Sequence, residues 1–350
     1  MRPLSDTLSR LAAFRHARDN AEAPAAGLVE LTAFGSNPGA LRAWTHVPAA
    51  LPPKAPLVVV LHGCTQNAAG YDNHSGWSQL AEAAGFALLY PEQQRTNNGQ
   101  LCFNWFQPED TRRGTGEAAS IRQMIERMVR DRGLDRGRIF VTGLSAGGAM
   151  ASSMLAAYPE VFAGGAIIAG LPHGVATTVP QAFDRMRGHG MPAPAQLEAL
   201  VRGASDHEGP WPSISIWQGG ADATVVPANA EAILDQWRGL HQLGARPTRV
   251  EPIGGASRAV WCDRDGRAVI ERYDIPGMGH GTPLDSAEPG ETPGPFMLDV
   301  GISSTRRIAH FWGLAPAALH RKPRPEAAAE PTGGILHTIE NALRQAGLMR

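Results

Sequence analysis

The stretch that most constrains this chain is residues 138–158, RIFVTGLSAGGAMASSMLAAY. Ile139, Phe140 and Val141 read as a short buried strand, and 149–157, rich in Ala, Met and Leu, reads as a helix. Between them lies Gly143-Leu144-Ser145-Ala146-Gly147, the pattern G-x-S-x-G. The strand must reverse sharply into the helix there, and a Cβ at either flanking position would collide with neighbouring backbone. Such a turn lifts the Ser145 hydroxyl off the sheet edge. It also aims the unpaired N–H groups of a helix start at the place where an oxyanion would form. With 40 Gly in 350 residues, the pentapeptide alone arises by chance about 0.2 times per chain. Its flanks, a strand before and a small-residue helix after, favour a nucleophile turn over a serine that merely caps a helix.

The rest of the chain alternates in the same way. Residues 29–34 and 41–46 read as two strands joined by a turn, and 57–61 as a continuous apolar strand of the kind buried on both faces of a parallel sheet. Residues 78–84 read as a helix, 86–90 as a strand closed by Pro91, and 117–132 as a helix with Ile121, Met124, Ile125 and Met128 on one face. Further strands are expected at 163–171, 213–218 and 269–275, the last in the sheet, and helices at 196–202, 228–240 and 302–312. Six or so strands alternating with helices predict an α/β fold, a mainly parallel sheet with helices on both faces.

Domain limits follow from composition shifts. Leu4, Leu8, Leu11 and Phe14 recur at helical spacing, so 1–26 is read as a peripheral N-terminal helix, and 27–312 as the catalytic domain. Within it, 172–212 is rich in Pro, Gly and Met and is a candidate cap insertion over the site. Residues 313–334 read as a Pro/Ala-rich linker, and 335–350 as a C-terminal amphipathic helix. Residues 1–22 lack the long apolar core of a signal peptide, and the compartment stays open. The formal net charge is -1, which offers no electrostatic footprint for nucleic acid, and no apolar run reaches the length of a membrane span. No C-x-x-C spacing points to zinc, so neither metal nor cofactor is expected. Cys64, Cys102 and Cys262 cannot all pair internally. Whether Cys64 and Cys102 join is left open by the sequence.

Candidate functional residues fall where such folds hold them, just past strand ends. Ser145 follows one strand, Asp222 another, within Gly219-Gly220-Ala221-Asp222, and His280 a third, in the exposed glycine turn 276–281. A serine hydroxyl needs a base to take its proton, and a histidine, with an ordinary pKa of about 6.5, does so near neutrality. An aspartate holds that imidazole in the required tautomer. Asp206, Asp235, Asp263 and Asp274 are rival acids. Asp235 falls inside a helix and Asp274 precedes the histidine too closely, which favours Asp222. His241 and His310 lie in or beside helices, which favours His280. The strand 57–61 ends in His62-Gly63-Cys64-Thr65-Gln66, where a glycine lets backbone N–H groups turn toward the site. The Cys64 and Ala146 N–H groups are the expected oxyanion donors, with His62 a structural hydrogen-bonder. The long loop 92–116 holds Cys102, Asn104, Trp105 and Phe106, an aromatic cluster that reads equally well as a pocket wall or as a satellite core.

These residues, with the motifs SNPGALRAW, VVVLHGCTQNA, GFALLYPEQ, NNGQLCFNWF, FVTGLSAGGAM, FAGGAIIAGLP, GADATVVP and GMGHGTP, give the chain from about 34 to 312 a resemblance to the polyhydroxybutyrate depolymerase family of esterases. That resemblance implies the α/β-hydrolase fold and a triad of Ser145 as nucleophile, Asp222 as acid and His280 as base, with the oxyanion hole beside Cys64. It implies that Cys102 and Trp105 lie near the site, and Thr65 and Trp105 are the expected substrate contacts. The expected substrates are hydroxyalkanoate oligomers or other short-chain esters. The alternatives are a carbohydrate esterase releasing acetyl or feruloyl groups, or a binding protein on an inactive hydrolase fold. Oligomeric state is not legible.

Overall fold

A computed structural model describes residues 27–316. The helices expected at 1–26 and 335–350, and all of the expected linker beyond 316, lie outside the described residues. In chain order the elements are β1 Val29–Glu30, β2 Arg42–His46, β3 Leu57–Leu61, α1 Ala68–Ser75, α2 Trp77–Ala84, β4 Ala87–Glu92, α3 Pro108–Thr111 and α4 Gly116–Arg132. Then come β5 Ile139–Leu144, α5 Ala146–Ala157, β6 Gly164–Ile168, α6 Val179–Met186, α7 Pro194–Arg202, β7 Ser213–Gly219 and α8 Ala228–Leu240. The chain closes with β8 Arg249–Ile253, β9 Ala256–Cys262, β10 Ala268–Ile275, β11 Thr282–Leu284, β12 Met297–Asp299 and α9 Ser304–Phe311.

One sheet of ten strands runs in the order β1-β2-β4-β3-β5-β6-β7-β10-β9-β8. The central run β4, β3, β5, β6, β7 and β10 is parallel, and the strands outside it are antiparallel. The two-residue period of β3 shows why a continuous apolar run belongs at the centre. Leu57, Val59 and Leu61 enter a core with Ile121 and Met124 of α4, Met154 of α5 and Ile233 and Trp237 of α8. Val58 and Val60 enter the opposite core with Trp77 and Leu80 of α2 and Ile308 of α9. Both faces are therefore covered, as the alternation of strands and helices predicted.

Several boundaries differ from the sequence reading, for identifiable reasons. β4 runs through Pro91 instead of stopping before it. Its parallel pairing to β3 ends at Leu89, so by Pro91 only β2 remains alongside, and a missing N–H costs little there. β6 ends at Ile168, because Ala169 turns to a φ of 44°. The expected strand at 29–34 is only two residues long. The region 172–212 holds two helices where one was expected, and α6 is N-capped by the Thr178 hydroxyl with Pro180 in its first turn. Helix α1, capped by the Asn67 side chain, and the hairpin β8–β9 turning at Gly254 and Gly255 were not anticipated. β10 is consequently an interior strand, and the short parallel pair β11–β12 follows it. Among the described residues no helix is long and apolar enough to cross a membrane.

Candidate active site

The turn between β5 and α5 has the conformation its glycines predict. Ser145 sits at φ 57° and ψ −117°, outside the helix it precedes. A Cβ on Gly143 would lie 2.4 Å from the backbone of Gly147, and one on Gly147 would lie 2.3 Å from the Leu61 carbonyl oxygen. Neither contact can be relieved by a side-chain rotation, so both positions require glycine. The Ser145 N–H donates to the Ile168 carbonyl at 2.9 Å, which fixes the turn against β6.

Asp222 and His280 arrive from neighbouring strand ends that interlock. The Gly220 N–H donates to the Ile275 carbonyl at 2.8 Å, and the Ala221 N–H donates to the Met278 carbonyl at 2.9 Å. A Cβ on Gly219 would lie 2.4 Å from that same Met278 oxygen. His280 Nδ1 is 2.8 Å from Asp222 Oδ2, and His280 Nε2 is 2.8 Å from Ser145 Oγ. With its proton on Nδ1, facing the carboxylate, the imidazole presents Nε2 as an acceptor to the serine hydroxyl. Asp222 is 3% exposed. Its Oδ1 accepts from the Thr224 and Val225 N–H groups, each at 2.9 Å, and its Oδ2 also accepts from Gln218 Nε2 at 3.2 Å. Those donors offset the burial of a carboxylate that, among the described residues, has no Lys or Arg beside it.

The exposed glycine turn expected around His280 is half right. Pro276 and Gly277 are exposed, but the His280 side chain retains only 7% exposure, enclosed by Asp222 and by Phe296, whose ring centroid lies 6.1 Å away. Phe296 comes from the loop before β12 and holds a φ of 61°. No local sequence signal marks it as part of the site.

Cys64, Thr65, Trp105, Ser145 and His280 line one cavity of about 530 Å³. Asp222 stands behind His280, and Ala146, first residue of α5, packs in the apolar cluster with Trp105. The Cys64 and Ala146 amides make no hydrogen bond to a protein acceptor among the described residues. The loop 92–116 answers to both of its readings. Trp105 and Phe106, edge to face at 5.6 Å, form a cavity wall, whereas Phe103 is buried in the core beneath. Cys64 and Cys102 are joined by a disulfide, and Cys262 is free. Val179, Ala182, Phe183 and Met186 of α6 line the same cavity. Their spacing of i, i+3, i+4 and i+7 after a Thr-Val-Pro start was a legible helix stripe that sequence reasoning passed over. None of the cavity residues carries an Asp, Glu, Lys or Arg side chain.

His62 is a structural group. It is fully buried, its Nδ1 lies 2.8 Å from the Gly63 carbonyl and its Nε2 accepts the Gln93 N–H at 3.1 Å. The acceptor role of Nε2 places the proton on Nδ1, and burial pushes the imidazole pKa down, which favours this neutral form.

Comparison with known proteins agrees with the fold. Residues 42–249 match the family described as Esterase PHB depolymerase, more than half of the 350-residue chain. A poly(3-hydroxyalkanoate) depolymerase C from Paucimonas lemoignei is 45% identical over 291 residues, covering 82% of this chain and 70% of that one. A feruloyl esterase B from Talaromyces funiculosus is 28% identical over 270 residues, covering 75% of each. The acetyl xylan esterase from Aspergillus awamori superposes with a TM-score of 0.71 at 24% identity, covering 83% of this chain and 100% of that chain, a likeness of fold. With a family model matched over more than half of its length and a relative of that family at 45% identity, the chain belongs to the Esterase PHB depolymerase family, carboxylic ester hydrolases of the α/β-hydrolase fold.

Proposed function

We propose that this chain is a serine esterase acting through an acyl-enzyme on short-chain hydroxyalkanoate esters, polyhydroxybutyrate or its oligomers. The observation that carries the reading is the continuous hydrogen-bonded line Ser145 Oγ, His280 Nε2, His280 Nδ1, Asp222 Oδ2, with 2.8 Å at each step between side chains. Ser145 Oγ attacks the ester carbonyl carbon while its proton passes to His280 Nε2. The resulting oxyanion accepts from the N–H groups of Cys64 and Ala146. Asp222 stabilises the imidazolium, which then protonates the leaving alkoxide, and the alcohol departs. Water, deprotonated by His280, attacks the acyl carbon. Collapse of the second tetrahedral intermediate returns a proton to Ser145 and releases the acid.

The substrate class rests on two observations. The cavity is uncharged and walled by Trp105, Phe106, Phe183, Met186 and Phe296, which suits a neutral, mostly apolar ester chain. The depolymerase relative is also far more similar than the feruloyl esterase relative, 45% against 28%. Thr65 and Trp105 are the proposed substrate contacts, and the insertion at 172–212 is the proposed cap. Ser145→Ala is expected to remove hydrolysis of p-nitrophenyl butyrate by at least about a thousandfold with an unchanged circular dichroism spectrum. The same protein should hydrolyse methyl-capped hydroxybutyrate trimers faster than it releases acetyl or feruloyl groups from xylan. Retained activity in Ser145→Ala would overturn the mechanism, and the reverse ranking would make this a carbohydrate esterase.

A further inference from the structure

Beneath the cavity lies a buried polar cluster that the proposed reaction does not use. Its centre is Gln93, 2% exposed, one residue past β4. The Gln93 N–H donates to His62 Nε2 at 3.1 Å, and His62 Nδ1–H in turn donates to the Gly63 carbonyl at 2.8 Å. The Gln93 side-chain Nε2 donates to the Cys102 carbonyl at 3.1 Å, and Cys102 is covalently bound to Cys64. Two separate paths therefore run from Gln93 to the two ends of one peptide unit. One reaches the carbonyl of Gly63, and the other reaches the side chain of Cys64. Because a peptide group is planar, fixing the Gly63 carbonyl and the Cys64 side chain fixes the direction of the Cys64 N–H.

The Gln93 side chain is itself held on all sides. Its Nε2 donates to Glu117 Oε1 at 2.5 Å, and its Oε1 accepts from the Gln94 N–H and from Asn97 Nδ2, each at 2.9 Å. This set of partners fixes the amide orientation, since a flipped Gln93 would set donor against donor at Gln94 and Asn97. Glu117, 0% exposed at the start of α4, accepts the Asn104 N–H at 2.9 Å with its other oxygen, one residue before Trp105. A carboxyl group buried without a cation is costly, and here it is spent on one amide side chain and the cavity wall.

We propose that Gln93, oriented by Glu117, is a positioning residue that aims the Cys64 amide at the developing oxyanion. This rests on the reading that Ser145 is the nucleophile and Cys64 an oxyanion donor. An amide that drifts by a few tenths of an ångström still admits the substrate but holds the tetrahedral intermediate poorly, so the loss falls on kcat and spares KM.

The test is Gln93→Met, which keeps the volume and the backbone N–H and removes the side-chain bonds. With p-nitrophenyl butyrate, kcat should fall about 10- to 100-fold with KM within about threefold. The affinity of a butyl trifluoromethyl ketone, whose serine adduct needs the oxyanion donors, should fall in parallel with kcat/KM. Glu117→Gln, which keeps one acceptor, should shift both in the same direction by a smaller factor. Ile308→Ala, on the opposite face of the sheet, supplies a matched drop in Tm and should leave kcat unchanged. If Gln93→Met yields no folded protein, Glu117→Gln decides alone. The proposal is overturned if kcat stays within about twofold, if KM rises at constant kcat, or if activity falls only as the folded fraction does. Activity surviving in Ser145→Ala would instead remove the reading beneath it.

Discussion

Buried carboxyl groups are the residues that most tie this molecule to pH. Glu117 is surrounded by neutral donors, and burial first, then the neighbouring Asp110 carboxylate, push its pKa up to about 8. Glu291, buried between Ser303 and the Asp285 N–H, is pushed up to about 7, again chiefly by burial. Both folded values lie above the ordinary glutamate value of about 4.3, so the folded protein retains protons that the unfolded chain gives up. Their contribution is fully present below about pH 4.3 and is lost as pH rises through 7 and 8. Buried His62 and His173, whose pKa values burial pushes down, act in the opposite direction between pH 5 and about 6.5, so the contribution of Glu117 is read as a difference between two proteins. Urea titrations should show the parent losing about 3 kcal/mol or more of unfolding free energy relative to Glu117→Gln from pH 5 to 9, with the variant the less stable of the two at pH 5. A difference that stays constant over this range would contradict the assignment.

At the scale of elements, the cavity is lined by strand ends of the sheet and by two structures outside it. Those two are the disulfide-tied loop carrying Trp105 and Phe106, and α6. The disulfide links positions 38 residues apart, so in the chain-entropy picture it removes about 4 kcal/mol of freedom from the unfolded state while fixing a wall of the site. Phe183 of α6 faces the slot with its helix neighbours Val179 and Met186. Phe183→Ala should raise KM for hydroxybutyrate trimers about tenfold, yet change kcat on p-nitrophenyl acetate by less than about twofold, because the short ester does not reach that wall. An equal effect on both esters would place the ring in the chemistry and not in chain binding.

These elements also mark how far the sequence could be read. The turn around Ser145 was legible because both of its glycines are demanded by backbone contacts at 2.3 to 2.4 Å, Gly143 by Gly147 within the same turn and Gly147 by the Leu61 carbonyl of the neighbouring strand β3. Helix α8, Ala228–Leu240, was legible to the residue from the segment ending in Pro227 that leads into it. Phe296 was not, since only the packing of the β11–β12 loop brings it beside His280. The hairpin β8–β9 was missed because its outer strand, RVEPI, is mostly exposed and has no apolar alternation to betray it. Helix α6 had the right stripe, and the Pro, Gly and Met around it hid the pattern.

Across the whole molecule, the parallel centre of the sheet brings side chains from positions 145, 222 and 280 to one carboxyl edge, and two apolar cores hold that edge in place from either side. The separations in sequence are 58 and 135 residues for the two hydrogen bonds. Only a rigid sheet sustains such geometry, because each partner stands on a different strand end. The claim that a proton is drawn from one hydroxyl through this assembly is tested most directly by covalent labelling. Reaction with a fluorophosphonate, followed by intact-mass and peptide mass spectrometry, should give one adduct per chain, on Ser145, appearing in step with loss of esterase activity. The labelling rate should drop by about a thousandfold or more in His280→Ala and substantially in Asp222→Asn. An adduct on another residue, or full activity in a chain labelled at Ser145, would contradict the account.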